Sequence, residues 1–312
     1  MRFVKDLEKI RAKDILIAGG KGANLGELIK IGMPVPEGFA ISAKVFERFL
    51  EETDINVEIK AVLEKINMKD IESVEEASEI LRNLILEKEM SEDLAKEILK
   101  AFDKLSAKFV AVRSSATAED SKIDSWAGEL ETYLNTTREK LLENVKKCWA
   151  SLFTPRAMFY RFQRKLNHKP VFVAVIVQKM VQSEVSGVCF TVHPVTKSKN
   201  QMIIEACWGL GEILVSGQIT PDSYVIEKKS FKILDVNVQR QEKMIVLAKG
   251  GNKMIDIPVT KRKRQKLLKK QIKELAKLCL KIEENFKNPQ DIEWALEKGK
   301  FYILQTRPIT AL

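Results

Sequence analysis

The chain has 312 residues, 45% of them hydrophobic and 31% charged, and carries a formal net charge of +10. It is long enough for two domains with substantial cores, and its composition excludes the disordered and collagen-like classes. The longest apolar run, Val171–Val177, falls far short of the about 20 residues that cross a bilayer. Charges at Arg2, Lys5, Asp6 and Glu8 stand where a secretory leader needs an apolar centre, so a cytoplasmic protein is expected. Cys148, Cys189, Cys207 and Cys279 show no Cys-x-x-Cys spacing, which argues for buried apolar residues over a zinc site or disulfide framework. The positive excess admits a nucleic acid, an acidic surface or a phosphorylated ligand.

In chain order, residues 1 to about 105 read as mostly helical. A glycine-rich turn, Gly19-Gly20-Lys21-Gly22, leads into a helix over Gly22 to Gly32 with Leu25, Leu28 and Ile29 on one stripe. Helical spacing returns over about 43–52, 70–87 and 91–105. Phe109 to Val112 reads as a short buried strand running into a polar loop, Arg113 to Asp120. Helices over about 137–151 and 154–166 precede strands over 171–181, 185–192, 202–206, 224–227 and 233–238 and a terminal hairpin. Lys261 to Arg264, with Lys266, Lys269 and Lys270, open an apolar stripe of Leu268, Ile272, Leu275, Cys279 and Ile282. That stripe predicts one amphipathic helix whose basic side is a solvated face or a docking patch. A helix-rich first half and a strand-rich second half predict an α+β architecture of two lobes, 1–180 and 181–312, with a ligand cleft as the default site.

The polar segments cluster at element ends. The glycine turn can aim helix N–H groups and Lys21 at a phosphate, although it matches neither the P-loop nor the dinucleotide pattern; a bland surface turn is the alternative. Arg113 presents a planar fork suited to phosphate oxygens, with Ser114, Ser115 and Thr117 as further donors, unless it pairs with Glu119 or Asp120 in a loop. Ser125-Trp126-Ala127-Gly128, followed by Thr132, has the small residues and hydroxyl of a flap over phosphates, or of a plain hairpin turn. Gln178-Lys179-Met180 closes an apolar strand, where backbone groups can meet an adenine edge and Met180 its ring, or where ordinary packing holds. Glu205 is a candidate ribose carboxylate.

In the terminal hairpin Asp291 and Glu293 lie two apart, as do Gln305 and Arg307, so each pair shares a strand face. A three-residue loop with Gly299 left-handed puts all four on one face, whereas a two-residue loop splits them. Gathered together, they suit Mg²⁺ against a polyphosphate with arginine as counter-charge; an edge hairpin with a surface ion pair is the alternative.

The order of these segments carries more than each one alone. Gly20-Lys21-Gly22-Ala23-Asn24-Leu25, Pro34-Val35-Pro36-Glu37-Gly38, Val112-Arg113-Ser114-Ser115-Ala116-Thr117, Ala127-Gly128 with Thr132, Gln178 with Met180, Gly187 with Phe190-Thr191, Asp291-Ile292-Glu293-Trp294 and Leu304-Gln305-Thr306-Arg307-Pro308 together resemble one family over about residues 15–310. It is the N-terminal nucleotide-binding domain of phosphoenolpyruvate synthase and pyruvate phosphate dikinase. The resemblance implies an ATP-grasp fold that binds ATP and Mg²⁺, with Lys21, Arg113 and Arg307 as the catalytic cations on the phosphates. It places Gly128 and Thr132 in the phosphate-covering loop, Gln178 and Met180 at the adenine, and Asp291, Glu293 and Gln305 at the metal, with Gln305 and Arg307 completing the phosphate cluster. The implied reaction passes a phosphoryl or pyrophosphoryl group from ATP to a histidine of a swivelling domain, leaving AMP, on the way from pyruvate to phosphoenolpyruvate.

Trp126 stands where the family usually has phenylalanine. The chain ends at Leu312 with neither a histidine-bearing domain nor a pyruvate barrel, and neither His168 nor His193 has the Thr-Ser-His setting of the phosphoacceptor. The expectation is therefore an ATP-binding domain or subunit whose histidine domain and barrel lie on a separate chain. The alternatives are the nucleotide subunit of a rifamycin-type antibiotic phosphotransferase and a non-catalytic ATP-binding regulator. No membrane partner is expected, and a nucleic acid is disfavoured because no aromatic residues interleave the basic run.

Overall fold

The computed structural model describes residues 3–117, 131–163, 172–249 and 251–310, which fold as mixed helix and sheet. The chain divides into two compact units, Met1–Glu27 with Glu37–Met180 and Leu28–Pro36 with Val181–Leu312.

In the first unit, β1 (Val4–Asp6), β2 (Gly38–Ile41), β3 (Val110–Ala116), β4 (Thr132–Thr136) and β5 (Val173–Lys179) form an antiparallel sheet in the order β1-β2-β5-β3-β4. The central strand β5 is almost continuously apolar and buried on both faces, which is why its sequence shows no alternation. The helices are α1 (Ile15–Lys30), α2 (Ala43–Glu52), α3 (Asn56–Lys65), α4 (Ile71–Glu87), α5 (Glu92–Leu105), α6 (Leu141–Ala150) and α7 (Pro155–Gln163). On one sheet face Phe39, Ile41, Val112, Val175 and Val177 join a core with Phe46, Phe49 and Trp149, where the Phe46 and Trp149 rings stack at 5.3 Å. Capping sets two helix starts: Ser42 accepts the Lys44 N–H at 3.3 Å and Asp70 the Glu72 N–H at 3.1 Å. On the opposite sheet face lies α1, where an added Cβ on Gly22 would meet Ile176 at 2.9 Å.

The helix α1 breaks at Gly19, with φ 68° and ψ 176°, and restarts after it. An added Cβ there would stand 2.2 Å from the Ser115 hydroxyl, so both conformation and space require glycine.

The second unit contains β6 (Val185–Phe190), β7 (Gln201–Trp208), α8 (Glu212–Val215), β8 (Asp222–Glu227), β9 (Ile233–Asn237), β10 (Lys243–Ala248), β11 (Gly251–Asp256), α9 (Lys269–Phe286), β12 (Gln290–Glu297) and β13 (Lys300–Pro308). Six of these strands form an antiparallel sheet in the order β13-β12-β6-β7-β8-β9, and β10 and β11 pair apart from it. Ile292, Cys189, Ile204 and Tyr224 lie in one cross-strand row, fully buried. Cys189 meets Cys279 of α9, so that helix covers this face. All four cysteines are buried and unpaired. Among the described residues no helix is long and apolar enough to cross a membrane.

The basic run departs from the predicted helix. The helix α9 starts only at Lys269, and residues 261–264 form turns. Lys266 is turned inward, its side chain fully buried, with Nζ 2.6 Å from both Asp222 Oδ1 and the Gln239 carbonyl. The other Asp222 oxygen accepts the Lys266 N–H at 3.0 Å and the Tyr224 hydroxyl at 2.8 Å. Lys261 lies over the Trp208 ring at 3.9 Å. Tertiary partners thus hold the segment in turns and override its helix propensity. Lys266→Met leaves the Asp222 carboxylate buried without a counter-charge, and is expected to lower unfolding free energy by about 3–5 kcal/mol. Urea denaturation reads this, and an unchanged midpoint contradicts it.

Candidate functional site

In the first unit Arg113 stands in mid-strand, because β3 continues to Ala116 where a polar loop was expected. Its cross-strand partners are Ile176 and Thr132, and Gln178 two residues on pairs with Ala111 and Gly38. Partners directly opposite, and residues two apart, share a face. Arg113, Thr132 and Gln178 therefore lie on the face away from the aromatic core. Ser115 shares that face: its hydroxyl donates to the Ala18 carbonyl at 2.8 Å and accepts the Gly22 N–H at 3.3 Å. These bonds fix the glycine turn, and Lys21 with it, on the same side of the sheet as Arg113.

The neighbouring hydroxyls have other work. Ser114 points to the opposite face and bonds the Glu131 carbonyl at 3.0 Å, while Thr117 donates to the Phe172 carbonyl at 3.1 Å. All three expected phosphate donors, Ser114, Ser115 and Thr117, are thus bonded to backbone. Ser115, read as a phosphate donor, is instead the anchor of the glycine turn; its place two residues after Arg113 is the signal that marks it. Gln178 is buried and Met180, just past the strand end, is half-buried. The N–H groups of Lys179 and Met180 donate to the Glu37 and Phe109 carbonyls at 2.8 and 3.0 Å, so these two are not open to an adenine edge. Gly128, Trp126 and His168 lie outside the described residues.

In the second unit the hairpin loop is the two-residue form, Lys298 (φ 50°) and Gly299 (φ 76°) between the paired Glu297 and Lys300. That register, carried straight back, would oppose Glu293 to Leu304 and split the four polar side chains. A bulge intervenes. Trp294 pairs with Ile303 but Glu293 pairs with Gln305, so Leu304 is the extra residue. Beyond it Asp291 opposes Arg307, and all four side chains share one face. The expected convergence occurs, but the bulge produces it and the loop does not.

The same cross-strand row runs from Gln305 and Glu293 through Val188 to Glu205 and Ser223. It lies on the face opposite α9. Asp291 Oδ2 accepts Nε of Arg307 at 2.8 Å and a terminal guanidinium nitrogen at 2.6 Å. Burial pushes the Asp291 carboxyl above its ordinary range, Arg307 opposes that shift, and Glu293 adds to it. Glu205 is pushed up by burial and then by the Asp291 charge. Three acids on one face thus feel one another, with Arg307 as the counter-charge on Asp291.

A divalent cation is implied by the resemblance, and the donors bear on its fit. Gln305 Oε1 is buried and accepts no hydrogen bond from any described residue, opposite Glu293. A buried oxygen without a donor calls for a water or an ion. Among the described residues no group of three histidine, cysteine or carboxylate side chains is gathered as a cage. An amide and two carboxylates are a set of hard oxygens of the kind Mg²⁺ uses when water and phosphate complete its shell, so the residues fit. Elsewhere, His193 Nδ1 accepts the Val195 and Thr196 N–H groups at 3.3 and 3.2 Å, the geometry of a turn residue.

Comparison with known proteins adds an independent line. Residues 15–312 match the family described as pyruvate phosphate dikinase, AMP/ATP-binding domain. The chain is similar to a probable phosphoenolpyruvate synthase of Methanocaldococcus jannaschii, 45% identical over 320 residues, covering 100% of this chain and 27% of that one. It is also similar to a probable phosphoenolpyruvate synthase of Archaeoglobus fulgidus, 45% identical over 316 residues, covering 99% of this chain and 41% of that one. A phosphoenolpyruvate synthase of Pyrococcus furiosus is 40% identical over 359 residues, covering 100% of this chain and 44% of that one. The chain spans less than half the length of each of these relatives. With a family match over nearly its whole length, the chain belongs to the pyruvate phosphate dikinase AMP/ATP-binding domain family.

Proposed function

We propose that the chain is an ATP-grasp nucleotide domain that binds ATP with Mg²⁺ and donates a phosphoryl or pyrophosphoryl group to a histidine of a separate swivelling domain, in the synthesis of phosphoenolpyruvate from pyruvate. The observation that carries this reading is the hairpin face: Asp291, Glu293, Gln305 and Arg307 together, with a buried Gln305 oxygen that lacks a donor. In this reading the two compact units are the two lobes of the fold. Lys21, Arg113 and Arg307 meet phosphate oxygens and neutralise charge as the bond to the leaving nucleotide lengthens. Asp291, Glu293 and Gln305 would hold Mg²⁺, which when bound draws phosphate oxygens into line and offsets their charge. Gly128 and Thr132 cover the phosphates, Gln178 and Met180 take the adenine, and Glu205 accepts a ribose hydroxyl. Asp291, tied to Arg307 by two hydrogen bonds to one oxygen, sets the direction of the guanidinium fork. The acceptor imidazole arrives neutral, so no acidic base is needed on this chain.

Nucleotide binding is testable on the chain by itself. Saturating ATP with Mg²⁺ is expected to raise the melting temperature, and Glu293→Gln or Arg307→Ala to remove most of that rise. A melting curve indifferent to nucleotide counts against the whole reading. For the transfer step, labelled ATP is mixed with the chain and the histidine domain of a phosphoenolpyruvate synthase. An acid-labile, base-stable phosphoprotein and released AMP are expected; AMP without labelled protein points to a different acceptor.

Glu205 supplies a pH test. Its folded pKa lies above the ordinary carboxylate value, so ionised Glu205 disfavours the folded state, and this cost appears as pH rises out of the acid range. Glu205→Gln is therefore expected to raise the melting temperature of the nucleotide-free chain at pH 7, with the difference shrinking as pH falls through the carboxylate range. The same variant weakens ATP binding if the carboxylate serves the ribose. A variant less stable at pH 7 contradicts the electrostatic account.

A further inference from the structure

An open groove of about 1020 Å³ lies beside the edge strand of the first unit, and none of Lys21, Arg113, Thr132 or Gln178 lines it. Lys96, Lys100 and Lys104 line one side. They recur at four-residue intervals on α5, hence on one helix face and about 6 Å apart along its axis. Lys5 of β1, Lys9 beyond it and Lys44 of α2 line the remainder, with Val4, Ile17 and Ala101 as apolar surface between.

Six lysines thus line the groove against two acids, Asp6 and Glu97, both engaged within the wall, and Lys5 also pairs with a third, Asp14, at 2.8 Å. Glu97 Oε1 accepts the Phe3 and Val4 N–H groups at 3.0 and 3.1 Å. Asp6 Oδ2 takes Lys9 at 2.9 Å and Lys104 at 3.1 Å. The pair of Lys96 with Glu92 joins side chains 73% and 82% exposed, which contributes little and yields readily to a competing anion. Charge of one sign in a concave, partly apolar surface concentrates potential inside it. The volume is that of a large small-molecule cleft. The one aromatic in the lining, Phe3, has Arg48 over its ring at 5.1 Å, which disfavours a stacked nucleic-acid base.

We propose that this groove is a second anion site, which takes a small ligand bearing two or more phosphate groups along the α5 lysine row. It stands independently of the nucleotide site. The full chain is titrated calorimetrically with inorganic tripolyphosphate at physiological ionic strength, alongside Lys96→Ala/Lys100→Ala, Lys96→Arg/Lys100→Arg and Arg307→Ala. The expected result is a tripolyphosphate site that survives Arg307→Ala, weakens at least tenfold in the alanine pair and persists in the arginine pair. The alanine pair is expected to keep the ATP-induced melting shift of the unaltered chain, whatever its size. Titration of the alanine pair like the unaltered chain overturns the proposal. So does a single class of sites that Arg307→Ala abolishes. Circular dichroism separates loss of binding from loss of fold, and if the alanine pair unfolds, the arginine pair with Lys104→Ala repeats the comparison.

Discussion

The site in the second unit depends on one extra residue in a strand. Because side chains alternate across a sheet, a shift of one position sends a whole set of residues to the other face. The two-residue loop at Lys298 and Gly299 would impose such a shift on Asp291 and Glu293 relative to Gln305 and Arg307. The bulge at Leu304 cancels it, and four polar groups from two strands meet. The tip of the hairpin keeps a tight left-handed turn with Trp294, Leu296, Phe301 and Ile303 buried, while its base carries the chemistry. Bulges often stand beside functional sites because they re-aim side chains in this way.

That convergence has an electrostatic cost. Asp291 and Gln305 are each only 8% exposed, and carboxylates in such surroundings resist ionisation. Arg307 offsets part of the cost for Asp291, yet burial remains the larger influence on its carboxyl. Glu205 has no cationic partner among the causes of its shift and bears both burial and the Asp291 charge. The proposed divalent cation and polyphosphate would relieve this cost, the cation at the acids and a phosphate at Arg307. The first unit shows the same economy of placement. Ser115, one hydroxyl on β3, fixes the glycine turn on the face that carries Arg113, Thr132 and Gln178.

Elements with a strong period were legible in the sequence. The helices α2, α4 and α5 and the strands β5, β6 and β8 lie within a few residues of the stripes that predict them. The helix α3 was missed because it buries only Ile59, and β11 because it is exposed along nearly all its length, leaving no alternation to read. The misreading of Arg113 as a loop residue came from treating a polar run as a strand end, whereas Ser114 and Ser115 are buried and bonded within the sheet. Lys266 was misplaced for the converse reason: a charged residue in a basic run reads as solvated, and only the fold brings Asp222 to it. The pairing of Asp291 with Glu293 and of Gln305 with Arg307 followed from strand spacing alone. Their meeting did not, since no local pattern announces a bulge at Leu304.

The most direct measurement is a crystal structure of the chain grown with a non-hydrolysable ATP analogue and Mn²⁺ in place of Mg²⁺, since Mn²⁺ scatters anomalously. The account predicts an anomalous peak within coordination distance of Glu293 and the Gln305 amide oxygen, with the triphosphate against Arg307. A metal and nucleotide bound elsewhere, with Gln305 still lacking a partner and no phosphate against Arg307, would contradict it.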